Sequence, residues 1–257
     1  MARTPHDHAA DAGGDADVLA AKAALRDEVW QAVVDAGASR FPGAFNRIPN
    51  FVGAEDAAER LRAQPEWRDV TAVKANPDSP QWPVRQRALE DDKVVFMAVP
   101  RLAEDHPFVA LRPGQLTVSP RAASSIKGSG THGLPVAVED LDPIGLVVTG
   151  CVAVDPSGAR LGKGGGFADL EFAIAQAAGL ITERTVVATT VHDAQVVDAG
   201  RIPLTDHDVP LDLIVTPTRV IRVEGRRTRP PGVVWEELTP EKIAAIPLLQ
   251  RLATERS

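Results

Sequence analysis

The chain has little that suits it to covalent cross-linking, to lipid or to polyanions. Cysteine occurs once, at Cys151, which excludes an internal disulfide and every multi-cysteine metal site and leaves packing to hold the fold. That thiol lies in the apolar run GLVVTGCVAV, where a buried, inert side chain is expected. No stretch approaches the ~20 uninterrupted apolar residues of a membrane span, and the N-terminus lacks the basic-then-apolar profile of a signal peptide. A cytoplasmic protein with no membrane partner is therefore expected. Positive charge is in deficit: 28 Lys and Arg stand against 35 Asp and Glu, a net charge of −7. A broad nucleic-acid surface is excluded on that balance, and basic residues that gather in one place must serve a local anion.

What is present is enough for a globular core. At 257 residues with 44% hydrophobic content, the chain can form one large α/β domain or two small ones. The first seventeen residues are small, polar and acidic and predict a disordered tail, with His6 and His8 solvated rather than metal-bound. From Val18 the segment VLAAKAALRDEVWQAVVDAG predicts a helix with Leu19, Leu25, Val29 and Val33 near helical spacing and Gly37 as its stop. EDAAERLRAQ, VRQRALEDD and DLEFAIAQAAGL predict further helices. DVTAVKA, VVFMAV (94–99), IGLVVTGCVAV (144–154), RTVVATTV, PLDLIVTP and TRVIRVEG predict strands, the two long apolar runs as buried parallel ones. RAASSIKGSGTHG, around 121–133, predicts a flexible loop. Strands alternating with helices point to an open, mostly parallel sheet covered on both faces, formed by residues 18–225, with 226–257 packing back as an extension through Trp235, Leu248, Leu249 and Leu252.

The densest glycine cluster, GARLGKGGGFADLEFAI at 158–174, lies between a buried strand and a helix. Gly162, Gly164, Gly165 and Gly166 let backbone N–H groups approach phosphate oxygens, the helix N-terminus adds partial positive charge, and Arg160 and Lys163 add formal cations. The spacing is neither that of a Walker A loop nor that of a dinucleotide fingerprint, so the alternative is a tight structural turn. Lys22 and Arg26, four apart, share one helix face. Asp169 could cap the following helix or hold a cation, and Asp208 sits in a loop where a hard cation is also plausible.

Taken together, KAALR at 22–26, RLGKGGGFAD at 160–169 and IPLTDHDVPLDLIVTP at 202–217 resemble, in order, the three signatures of the 5-formyltetrahydrofolate cyclo-ligase family. RFPGAFNRIPNFVGAEDAA, NPDSPQWPVR, FMAVPRL and GKGGGFADLE are similar to a cyclo-ligase-like branch of that family. The resemblance implies a three-layer α/β/α sandwich. It implies that Lys22 and Arg26 bind the ATP phosphates, that Arg160, Gly162, Lys163, Gly164, Gly165, Gly166 and Phe167 wrap the nucleotide, with Lys22, Arg26 and Lys163 acting in catalysis, and that Asp169 and Asp208 hold Mg²⁺. The implied reaction is ATP-dependent closure of 5-formyltetrahydrofolate to the 5,10-methenyl form. The branch also admits ATP chemistry on a non-folate, thiamine-related metabolite, or a non-catalytic nucleotide-binding regulatory protein. In the family two tyrosines precede the aspartate and help form the folate pocket; here Phe167 and Ala168 stand there, and the chain contains no tyrosine.

Overall fold

The computed structural model describes residues 7–225 and 228–256. Within them, α1 (Asp7–Asp35), α2 (Ala54–Arg62) and α3 (Pro65–Arg68) precede β1 (Ala72–Ala75), and α4 (Trp82–Glu90) joins it to β2 (Val94–Ala98). Next come β3 (Phe108–Leu111), α5 (Pro120–Ala123), α6 (Ile126–His132), β4 (Leu134–Val136), β5 (Leu146–Val148), β6 (Ala153–Val154) and β7 (Arg160–Leu161). The chain continues through α7 (Phe167–Ala177), β8 (Val186–Thr190), β9 (Leu213–Val215), β10 (Val220–Arg222), α8 (Pro240–Ala245) and α9 (Pro247–Arg256). Eight of these strands form one sheet in the order β10-β9-β8-β5-β1-β2-β3-β4, and β6 pairs with β7 separately. The central strands β9, β8, β5, β1 and β2 are parallel, while β3, β4 and β10 add antiparallel edges.

Alternation along the strands sorts their side chains into two apolar layers. Val73, Ala75, Val95, Met97, Leu146 and Val148 meet Ala58 and Leu61 of α2 and Val84 and Ala88 of α4. Ala72, Phe96, Val147 and Val187 meet Leu170, Phe172 and Ile174 of α7 on the opposite face, together with Ile246, Leu248 and Leu249 from the C-terminal helices. The result is a three-layer α/β/α sandwich. α1 buries Leu25, Val29, Trp30 and Val33 against Val152, Ala153 and Leu161 of the small β6–β7 ribbon. Among the described residues no helix is long and apolar enough to cross a membrane.

Four expectations change. The first helix begins at Asp7, inside the segment expected to be a disordered tail, as a continuation of the helix predicted from Val18; His6 lies outside the described residues. Leu19 faces solvent at 63% exposure, so the buried face of α1 starts near Lys22 and Leu25. The apolar run 144–154 is two strands, β5 and β6, because strand pairing is interrupted over residues 149–152. The Gly/Ser-rich segment near 121–133 folds into α5 and α6, capped by Ser119, whose hydroxyl accepts from Ala122 N–H, and Ser125, whose hydroxyl accepts from Gly128 N–H.

Candidate functional site

The chain leaves β1 toward β2 on one side of the sheet, and runs from β5 through β8 to β9 on the other. The carboxyl ends of β1 and β5 therefore flank a topological switch point, the usual ligand crevice of an open α/β sheet. The end of α7 returns to the start of β5, where Ile144 N–H donates to Leu180 O at 2.9 Å. Its N-terminus and the glycine loop thus stand at the carboxyl end of the sheet.

Side chains from three distant segments converge there. Lys22 Nζ donates to Asp208 Oδ2 at 2.6 Å and to Thr205 Oγ1 at 3.3 Å. Arg26, one turn further on, donates from Nε to Gly162 O at 2.7 Å. A Cβ built on Gly164 would lie 3.4 Å from the Arg26 guanidinium carbon, and φ there is +105°, so a side chain would be strained and would crowd the arginine. Arg160 pairs through Nη2 with Asp169 Oδ1 and through Nε with Val209 O at 2.9 Å. Val209 N–H donates to the same Asp169 oxygen at 3.0 Å, which brings the late loop, with Asp208, against the start of α7. Phe167 packs on the core, its ring 5.6 Å from the amine of Lys242. Lys163 projects to solvent from the loop.

The electrostatics follow from these pairs. Burial pushes the Asp208 carboxyl up, but the hydrogen bonds from Lys22 and Thr205 outweigh it and hold the group below the ordinary range. Burial likewise works to lower the Arg160 guanidinium, and its close anions, Asp169 foremost, raise it overall. Arg26 is lowered, by burial first, against the pull of Asp208 and Asp27. Cys151 is buried, and its thiol is pushed up to about 11, as expected of an inert side chain.

Sequence reasoning missed a second cluster, at the switch point itself. Lys74, the inward residue of β1, pairs with Glu171 of α7; their side chains are 1% and 7% exposed. Asn76 Oδ1 lies 3.5 Å from the same amine. Asp78 follows β1, and burial pushes its carboxyl above the ordinary range, opposed by the charge of Lys163 on the glycine loop. A Cβ on Gly150, just past β5, would lie 3.0 Å from both Asp78 Oδ2 and Gln81 Oε1, so a side chain there would push both neighbours by a few tenths of an ångström. Gln81 Oε1 and Thr149 Oγ1 are buried without a hydrogen-bond partner among the described residues. The available signals were the charged residues inside apolar segments: lysine in AVKA, glutamate in DLEFAIA, and an aspartate just past a buried strand.

Geometry of this kind defines an α/β protein with an open, mostly parallel sheet, a cation-lined glycine loop at its carboxyl end, and a buried polar cluster at the switch point. The profile of the 5-formyltetrahydrofolate cyclo-ligase family matches residues 17–217, and the chain belongs to that family. It is 37% identical over 233 residues to the methenyltetrahydrofolate synthase domain-containing protein of Danio rerio, a match covering 90% of this chain and 61% of that relative. The chain therefore spans about three-fifths of the length of that relative. It is 31% identical over 118 residues to the 5-formyltetrahydrofolate cyclo-ligase of Escherichia coli K12, covering 45% of this chain and 61% of the other. The NMR structure of 5,10-methenyltetrahydrofolate synthetase from Aquifex aeolicus shares the fold, with a TM-score of 0.51 at 20% identity over 80% of this chain and 95% of that one.

Proposed function

We propose that the chain is an ATP- and Mg²⁺-dependent ligase of the cyclo-ligase type, which activates an N-formyl group by phosphorylation so that a neighbouring amine can close a ring. The observation that carries this is the gathering of Lys22, Arg26 and Arg160 where the glycine loop meets the late loop, with Asp169 and Asp208 beside them. In the 5-formyltetrahydrofolate case the formyl oxygen attacks the γ-phosphorus and ADP leaves. The adjacent amine nitrogen then adds to the formyl carbon and loses its proton, and inorganic phosphate departs with the oxygen. Such chemistry needs position and charge neutralisation more than a protein nucleophile.

The residues fit these roles. The loop N–H groups with Lys22, Arg26 and Lys163 would hold the phosphate chain. Among the described residues, the hydrogen bonds to Asp169 converge on Oδ1 and those to Asp208 on Oδ2, leaving one oxygen of each carboxylate for a cation. Two carboxylates completed by water and phosphate oxygens suit Mg²⁺, which would neutralise the phosphates when bound. The acceptor would approach the switch point, where Asp78 and the unpartnered oxygens of Gln81 and Thr149 could accept from its N–H groups.

A second reading keeps the ATP chemistry and changes the acceptor. It is favoured by Ala168, which offers neither ring nor hydroxyl. One experiment separates the two: purified chain with ATP, Mg²⁺ and 5-formyltetrahydrofolate, followed by methenyl absorbance and ADP release together. Turnover near 10⁴ M⁻¹s⁻¹ or above, on the order of an ordinary metabolic enzyme, supports the folate acceptor. Weak folate turnover from a chain that still binds ATP supports the changed acceptor. Absence of both ATP binding and ADP release overturns the ligase reading.

A further inference from the structure

The family match ends at residue 217, yet the segment beyond it closes over the site. α8 carries Lys242, and a Cβ built on Gly166 would lie 3.3 Å from its amine. Gly166 opens the eleven-residue α7 in a left-handed conformation, φ +65°. The amine also sits 5.6 Å from the centre of the Phe167 ring. A cation beside the positive end of a helix is unfavourable by itself and becomes favourable when an anion lies between them. Among the described residues no carboxylate pairs with Lys242, whereas Lys22 is matched by Asp208 and Arg160 by Asp169. The same segment supplies Val234, Leu238 and Lys242 to a cavity of about 80 Å³ shared with Gly166, Asp169 and His207. It also walls a larger cavity of about 690 Å³ that contains Arg160, Thr205 and Asp208.

We propose that the C-terminal segment is part of the nucleotide site and that Lys242 is a direct ligand of the nucleotide's phosphate chain. This rests on the reading of the glycine loop as that site, and it adds a contact from outside the family-matched region. The contact with the Phe167 ring holds the amine beside the loop before the anion arrives, which lowers the cost of ordering a long side chain on binding.

The test is a titration of the full chain with ATP in Mg²⁺, comparing wild type with Lys242→Met, Lys242→Arg and, as a distant exposed lysine, Lys127→Met. Methionine keeps apolar contact with the Phe167 ring and removes the charge. The side chain is half-buried, so unliganded melting temperatures should agree closely. Lys242→Met should bind ATP about tenfold or more weakly, the loss expected of one charge-assisted contact, Lys242→Arg should keep most of the affinity, and Lys127→Met should match wild type. Inorganic tripolyphosphate should give the same ranking, because the contact is to phosphate rather than base. Equal ATP affinity of wild type and Lys242→Met overturns the assignment and leaves the glycine loop reading standing. An equal loss in Lys127→Met overturns it as a nonspecific charge effect, and failure of the wild type to bind ATP overturns both.

Discussion

At Asp78 a carboxyl is held in a buried position and shifted upward by that burial from an ordinary value of 3.8. Between the unfolded and folded values the folded state binds a proton that the unfolded chain has released. Stability therefore falls as pH rises through that window, and the penalty is complete above the folded value. Asp78→Asn removes the charge at similar shape, so the variant should melt higher than wild type at pH 7, by roughly 2–4 °C per kcal/mol recovered. The gain should vanish toward pH 4. Thermal melts of both proteins across pH 4 to 8 check this, and a gap independent of pH contradicts it. Asp208 has the opposite sign, since its hydrogen bonds hold it low and its stabilisation is lost only as pH falls through the folded value. Asp208→Asn should cost about 1–3 kcal/mol by leaving the buried Lys22 with a weaker partner. It should also raise the Mg²⁺ concentration needed for ATP binding. An unchanged Mg²⁺ titration would remove Asp208 from the metal site.

Elements were legible where burial dictates their period. α2, α4 and α7 follow their apolar spacing, and β1, β2, β5, β8 and β9 are the aliphatic runs that two covered faces require. The glycine segment was legible as a loop, because clustered glycines suit neither the strand before it nor the helix after it. Less legible were features decided by tertiary contact. The break of the run 144–154 falls where Asp78, Gln81 and Ile48 approach Gly150 closely enough to meet any added Cβ, and none of these is near it in sequence. The Gly/Ser-rich segment looked like a loop because its helix propensity is poor; two serine caps and packing of Ala123 let short helices form. Ser125→Ala should therefore lower stability by about 1 kcal/mol through loss of the α6 cap, measured by denaturant midpoint. No change would mean that packing alone holds the helix.

For the molecule as a whole, a net charge of −7 coexists with a local concentration of Lys22, Arg26, Arg160, Lys163 and Lys242 around one loop. A distribution of that kind favours a small anion over a polyanionic surface. The C-terminal segment binds the molecule together as well as bordering the site, since Ile246, Leu248 and Leu249 are buried in the same cluster as α7. Burial of each such side chain is worth about 1.5–3 kcal/mol, a large share of the stability of a domain. A chain ending at Gly225 should thus melt far lower than wild type or fail to accumulate in folded form, and wild-type melting of the truncated chain would contradict this packing.

The central claim, that the glycine loop is the nucleotide site, is tested most directly by the melting temperature in ATP and Mg²⁺ of wild type beside Lys163→Ala. Native-state binding adds about 2.7 kcal/mol at a hundredfold excess over Kd, so the wild type should gain roughly 5–10 °C. The variant, measured against its own unliganded melting temperature, should lose most of that gain. A full ATP-induced shift in Lys163→Ala, or none in the wild type, would contradict the account.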